Sequence, residues 1–340
     1  MANMSISMVS GLRARTGSAA KSISAKPFTV SGARLTAARP CGRWRSLIQK
    51  VRPVRHIRHY ESLARWTVAA LFLVAAPGSH CQAAEDPFPP HRVLGQTYYV
   101  GSKALATYLI ETPEGHIVIN SGFEETVPLI RASIESLGFR IKDVKIILAS
   151  HAHSDHVAGH AALQQLTGAK VYVMMGDDQV VSSGGAGQYL YVDSRWPACQ
   201  VDRVLKDGDE VTLGGKTLVA RSTPGHTKGC TTWTWKEDSP QGSLDVVVIG
   251  SPNVNPGYRL VDNKDYPEIA QDFARTFEVL KKLRCDVFLG AHGDYYGMLA
   301  KYERLKDSKT NPFIDPQGYR DYVTLKEKAF EQKLKDQSAH

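Results

Sequence analysis

Val144-Lys145-Ile146-Ile147-Leu148-Ala149-Ser150-His151-Ala152-His153-Ser154-Asp155-His156 is an apolar run that ends in three imidazoles and a carboxylate within six positions. A short apolar run of this kind reads as a buried strand. Residues just past its end then lie at a sheet edge, where loops carry chemistry. Neutral imidazole and carboxylate are the side chains that zinc prefers, and a catalytic zinc keeps one position open for water. His151 and His153 lie two apart, so an extended backbone points both to one side. Asp155 and His156 follow closely enough to hold a second ion. Any one of these histidines could merely cap the next helix; four candidate ligands in six positions point to a metal.

Two further histidines occupy the same kind of place. His226 closes Thr217-Leu218-Val219-Ala220-Arg221-Ser222-Thr223-Pro224-Gly225-His226, an apolar stretch ending in a Pro-Gly turn. His292 closes Cys285-Asp286-Val287-Phe288-Leu289-Gly290-Ala291-His292. Both read as ligands on strand ends. His91, His116, His160 and His340 lack such a context and read as surface residues.

Around these points the hydrophobic period alternates between strand and helix. Residues 108–111 and 116–120 flank Thr112-Pro113-Glu114-Gly115, a hairpin signal. Apolar residues at helical spacing predict a helix over 127–137 that Gly138 ends, and a second helix over 157–166 stopped by Gly168. A strand over 170–174 completes a βαβ order. The second half predicts strands near Val211, Leu218, Thr232 and Val246, a helix over 267–283, a strand at Val287 and a last helix over 321–335. An α/β class follows, with two β-sheets packed together and helices on the outer faces. About 256 residues suffice for one such domain, assigned to residues 85–340.

With these segments in hand, the chain resembles the metallo-β-lactamase superfamily, and within it the subclass B3 metallo-β-lactamases. The resemblance runs over about Tyr98 to Lys335. Besides the HxHxDH motif, it is carried by Thr223-Pro224-Gly225-His226-Thr227-Lys228-Gly229-Cys230-Thr231-Thr232-Trp233, by Gly250-Ser251-Pro252-Asn253-Val254-Asn255-Pro256-Gly257-Tyr258 and by Leu289-Gly290-Ala291-His292. Glyoxalase II, RNase Z and the lactonases place a bridging Asp after the strand Val246-Val247-Val248-Ile249, and subclass B1 places a Cys. Here Gly250-Ser251-Pro252 offers no strong zinc ligand, as in B3. The resemblance implies an αββα sandwich with two Zn²⁺ ions, the first on His151, His153 and His226 and the second on Asp155, His156 and His292.

The activity so implied is hydrolysis of the β-lactam amide bond of penicillins, cephalosporins and/or carbapenems, with hydroxide made at neutral pH by the metals and oriented by the catalytic Asp155. No serine nucleophile is needed. Ser251 and Asn255 are the candidates for the substrate carboxylate. Tyr189 and Tyr191, in a loop resembling the family's mobile flank, either contact substrate or anchor packing. Lys228 and Arg259 read as solvated surface, with a cation for the substrate carboxylate as the alternative. Ser154 replaces the aromatic of many relatives and is expected to face away from its neighbours. Tyr319 stands in the segment where relatives often carry the cysteine that pairs with the counterpart of Cys285, so that disulfide is expected to be absent. Two rival readings remain: a lactonase or thioesterase on the same scaffold, and a metal-binding module without catalysis.

The formal charge of +8 is concentrated at the N-terminus: residues 1–60 hold twelve Lys/Arg and no acid, whereas residues 85–340 hold 29 basic and 33 acidic residues. A mildly acidic domain argues against nucleic-acid binding. Trp66 to Ala76 form an apolar core after Arg65, with a break at Pro77-Gly78 and small residues through Ala83-Ala84. Residues 61–84 thus read as a secretory signal, leading to a bacterial periplasm. An uncleaved anchor is the alternative, although eleven residues fall short of the roughly twenty that span a bilayer. The basic leader 1–60 resembles a transit peptide or reflects a start assigned too far upstream, and is expected to be disordered. After cleavage the protein is expected to be a monomer free of the membrane, with only Cys199, Cys230 and Cys285 left, an odd count without CxxC spacing.

Overall fold

The computed structural model describes residues 86–240 and 242–339; the expected leader, the signal segment and His340 lie outside them. β1 (His91–Leu94), β2 (Thr97–Tyr99), β3 (Tyr108–Thr112), β4 (Gly115–Ile119), β5 (Val144–Leu148), β6 (Lys170–Met174) and β7 (Arg203–Leu205) form one sheet in chain order. β8 (Glu210–Leu213), β9 (Lys216–Ser222), β10 (Thr231–Ser239), β11 (Gly242–Ile249) and β12 (Val287–Gly290) form a second, in the order β12-β11-β10-β9-β8. The helices are α1 (Val127–Ser136), α2 (Ser154–Val157), α3 (His160–Thr167), α4 (Asp178–Ser182), α5 (Ile269–Lys282), α6 (Met298–Arg304) and α7 (Pro316–Ser338).

Period-two alternation divides the first sheet between two cores. Tyr108, Ile110, Ile117, Ile119, Ile146 and Leu148 pack toward Leu218, Ala220, Trp233 and Trp235 of the second sheet. Leu109, Val118 and Ile147 point the other way and meet Ile130, Ile134, Leu163 and Val181 of the outer helices. α5 and α7 cover the second sheet through Phe273, Phe277, Leu280, Tyr319 and Phe330. This is the αββα sandwich, and each buried Leu, Ile or Phe side chain stabilises it by about 1.5–3 kcal/mol before entropy is counted.

Three local departures from the sequence expectation have physical causes. The expected helix over 157–166 is broken into α2 and α3 at Gly159, whose N–H donates to Gly122 O at 3.0 Å. A Cβ there would lie 2.7 Å from Ser121 O, so glycine allows this close approach. α7 begins five residues earlier than expected, because Asp315 accepts from Gly318 N–H at 2.8 Å and Pro316 occupies the first turn. Finally, His91, His116 and His160 are buried rather than at the surface. His91 packs among Tyr99, Tyr302 and Phe313, and His116 meets the edge of Phe139.

Strand direction positions the site. β4, β5 and β6 run parallel, as do β11 and β12, while β9 shares their sense through antiparallel β10. Their C-terminal ends therefore open toward one edge of the sandwich. There the sheets are tied together: Thr231 N–H donates to Ser150 O at 2.7 Å, Trp233 Nε1 to Ala149 O at 2.9 Å and Tyr108 OH to Gly290 O at 2.8 Å.

Candidate metal centre

Each ligand segment begins where a strand stops. After β5 the chain stays extended through His153, at φ −106° and ψ 153°, before α2 starts. His153 sits at the N-cap of α2, yet its side chain caps no N–H. After β9, Gly225 adopts φ 117°, and a Cβ would lie 2.7 Å from the Phe273 ring; only glycine passes there and delivers His226. After β12, His292 is extended at φ −119°, ψ 146° and is held by a bridge to Leu105.

These segments converge. The ligand atoms of His151, His153 and His226 lie within 4.8 Å of one another, as do those of His151, Asp155 and His156. His292 joins the second group: its Nε2 is 3.0 Å from His156 Nε2 and 3.5 Å from Asp155 Oδ2, which is itself 3.3 Å from His156 Nε2. All six residues expected as ligands from the sequence thus meet at one edge.

Their electrostatics suit a cation. Burial drives His151 and His226 well below the usual imidazole range, helped by the neighbouring imidazoles, and takes His153 and His292 to about 4. They are neutral at physiological pH, the form that ligates metal. Burial would raise Asp155, but the imidazoles of His156, His292 and His153 outweigh it and hold the carboxyl below its ordinary range. His151 Nε2 is a buried ring nitrogen without a hydrogen-bond partner. A buried, unpartnered nitrogen on a ring clustered with four other donor side chains fits a divalent ion, because such a group otherwise costs about 1–3 kcal/mol. Three nitrogens on one side and two nitrogens with an oxygen on the other are donor sets that suit zinc.

The residues that orient the ligands were not legible in the sequence. Asp177, past the end of β6, is buried and accepts from Ala152 N–H at 2.7 Å, Thr227 Oγ1 at 2.7 Å and Gly229 N–H at 2.8 Å. One carboxylate thereby ties the His151–His153 loop to the His226 loop, and burial pushes it up to about 6 despite three donors. His226 Nδ1 faces Asn253 O at 2.7 Å, which leaves Nε2 for the centre. Asn120 takes a left-handed φ of 66°, accepts from Ser150 N–H at 2.8 Å and places Nδ2 3.3 Å from His156 Nδ1. A positive φ at a non-glycine residue is the kind of backbone strain found at functional sites. Nothing local in the sequence marks Asn120 or Asp177 for these roles.

A groove of about 470 Å³ opens over the ligands. Of the residues expected to contact substrate, Tyr191 and Asn255 line it, and Asn255 Nδ2 donates to Tyr191 OH at 2.9 Å. Tyr191 also presents its ring to the edge of His153, with centroids 5.0 Å apart. Ser251 is not on the wall: it is 1% exposed and its hydroxyl bonds Tyr295 OH at 3.1 Å. Tyr295 and Asn253 take the wall position in front of it. Tyr189 packs against Tyr258 and Tyr266 and accepts from Arg259 N–H, so it is a packing anchor. Ser154 is the first residue of α2 rather than part of an extended segment, and it lines the groove. Lys228 lies over the Tyr266 ring and outside the groove lining. Cys199, Cys230 and Cys285 are free and buried.

Comparison with known proteins agrees with this geometry. Residues 105–239 match the model of the metallo-beta-lactamase superfamily. The native FEZ-1 metallo-beta-lactamase from Legionella gormanii is 47% identical, with a TM-score of 0.74 over 75% of this chain and 99% of that one. BJP-1 of Bradyrhizobium japonicum, a subclass B3 metallo-beta-lactamase, is 36% identical with a TM-score of 0.71 over 75% and 97%. The human mitochondrial persulfide dioxygenase ETHE1 is 28% identical over 144 residues, 42% of this chain. The match spans about half of that relative's length, 48%. This chain belongs to the metallo-β-lactamase superfamily and, within it, to subclass B3.

Proposed function

We propose that this chain is a zinc-dependent β-lactamase that opens the amide bond of penicillins, cephalosporins and/or carbapenems, acts in the bacterial periplasm and gives antibiotic resistance. The observation that carries the reading is the meeting of His151, His153 and His226 with Asp155, His156 and His292 under one groove, with no ligand from Gly250 or Ser251. The likeness to subclass B3 enzymes over nearly their whole length supports it. The hydrophobic segment before Pro77 supports export.

Two zinc ions held there would supply Lewis acidity and a nucleophile at neutral pH. The protein's own contribution begins with Asp155. Its Oδ2 lies against both His156 and His292, and the carboxylate lines the groove, where it can accept a hydrogen bond from the attacking water or hydroxide and aim it. Asn253 O and Asp177 keep the His226 loop in place, so the ligands need no rearrangement when substrate arrives. Tyr191 OH accepts from Asn255 and keeps its own hydrogen to donate; the pair offers two donors to the substrate carboxylate. Ser251, buried behind Tyr295, is unable to form an acyl-enzyme.

A chromogenic cephalosporin assay with chelator and zinc add-back tests the reading. Hydrolysis should vanish with the chelator and return with zinc. Chelator-resistant hydrolysis, or a zinc-loaded protein that cleaves lactones or thioesters faster than every β-lactam tried, would reject it.

A further inference from the structure

The segment from Gly184 to Trp196 contains no helix or strand, yet it supplies two residues of the groove wall, Tyr191 and Ser194. A loop of that length needs some other device to keep one shape. Its ends are tied together: Trp196 N–H donates to Gly184 O at 3.1 Å, and Gly185, at φ 93°, lies so close that a Cβ there would come within 2.8 Å of the Trp196 ring. One side chain holds the interior. Gln188 is 8% exposed, and its Nε2 donates to Gly185 O, Tyr191 O and Ser194 O, each at 3.2 Å. Two amide hydrogens shared among three carbonyls give the loop, from inside, the donors that a neighbouring strand would otherwise provide. Arg195 also donates to Gly185 O and Ser194 O, but it is an exposed side chain whose place water can take. Gln188 is outside the groove lining, so it reaches substrate only through the two wall residues whose carbonyls it holds. Of these, Tyr191 accepts from Asn255 at 2.9 Å and sets its ring against His153.

We propose that Gln188 is a positioning residue for substrate binding: its side-chain amide fixes the wall formed by Tyr191 and Ser194 before a β-lactam arrives, so that the Tyr191–Asn255 pair meets the substrate already aligned. The assignment rests on the β-lactamase reading above. Preorganisation of this kind removes an ordering cost from binding, so its loss raises KM and leaves the steps at the metal ligands alone.

Gln188→Met and Gln188→Glu keep the length of the side chain and remove its donors. Steady-state kinetics on the zinc-loaded full chain should show KM for a penicillin and a cephalosporin about tenfold higher in both variants, as expected when one or two side chains must be ordered on binding, with kcat within about threefold. In a Tyr191→Ala background Gln188→Met should raise KM by no more than about threefold, because residues that act as one unit are not additive. Hydrogen–deuterium exchange read by mass spectrometry without substrate should be at least about tenfold faster across residues 184–196 in Gln188→Met than in the parent chain, and equal elsewhere. A KM that ignores both variants, an effect undiminished in the Tyr191→Ala background, or a loop that exchanges as slowly as in the parent overturns the positioning role and leaves the β-lactamase reading standing. Loss of bound zinc in both variants would make Gln188 a general structural residue and overturns it as well. Absence of β-lactam hydrolysis in the parent overturns both readings.

Discussion

His156 Nε2 and His292 Nε2 lie 3.0 Å apart, although 136 residues separate them in the chain. Asp155 Oδ2 completes the triangle at 3.3 and 3.5 Å. If this triangle holds one of two zinc ions, His292→Ala should bind one equivalent instead of two. Its weakened site should lose at least about a hundredfold in affinity, the upper end of what losing even an orienting partner costs. Metal analysis after dialysis, with competitive chelator titration, measures both. Two tightly held equivalents in His292→Ala would exclude the triangle as a ligand set.

Asp177 is expected to act through the loops it ties. In Asp177→Asn the amide group must turn a donor toward either Ala152 N–H or Gly229 N–H, leaving a buried group unpaired at about 1–3 kcal/mol. Zinc affinity at His151, His153 and His226 should fall about 10- to 100-fold as those loops separate. Urea melts and chelator competition distinguish the outcomes; lost stability with unaltered zinc affinity would make Asp177 a packing residue only.

His160 sets a pH dependence of folding. Burial pushes it down to about 3, and its Nδ1 is 2.7 Å from Ser121 Oγ. In the unfolded chain it titrates near 6.5. Between about pH 6.5 and 3 the unfolded chain binds the extra proton, so stability falls as pH falls through that window. The contribution approaches about 1.4 kcal/mol per pH unit. His160→Gln keeps a polar partner for Ser121 and the same metal ligands, so its stability should fall less steeply from pH 6.5 to 4.5. Parallel slopes in denaturant titrations would show that His160 is protonated in the fold.

Tyr191 and Ser251 should separate in kinetics. Tyr191→Phe removes the acceptor of Asn255 and the donor on the groove wall, and should raise KM for β-lactams by about three- to tenfold. Ser251→Ala should leave KM within about twofold, because Tyr295 and Asn253 stand between it and substrate. Equal effects in the two variants would contradict the placement of Ser251 behind the wall.

Glu237 locks the sheets at the far end of β10 from the metal ligands. Its carboxylate accepts from Gln96 N–H, Thr97 Oγ1, Trp235 Nε1 and Lys216 Nζ at 2.9–3.1 Å while 1% exposed. Glu237→Gln should lower stability by about 3–5 kcal/mol, since it takes away the carboxylate that pairs with Lys216 and turns a donor against donors. Zinc content should stay unaltered. Calorimetric unfolding with metal analysis checks both expectations.

Local sequence determined the candidate metal ligands and the layers. Donor chemistry is written in side-chain type, and each ligand stands just past an apolar run whose period marks a strand; once parallel strands share a direction, their ends converge. Hairpin, helices and the αββα class were legible for the same reason, because burial on one face imposes a period that one sequence displays. Tertiary structure alone decided which groups near those ligands act with them. Asp177 reaches partners 25 to 52 residues away, Asn120 reaches Ser150 across 30, and Ser251 turns inward behind Tyr295, 44 residues on. Contacts at such separations leave no local pattern, since they depend on where two sheets close against each other.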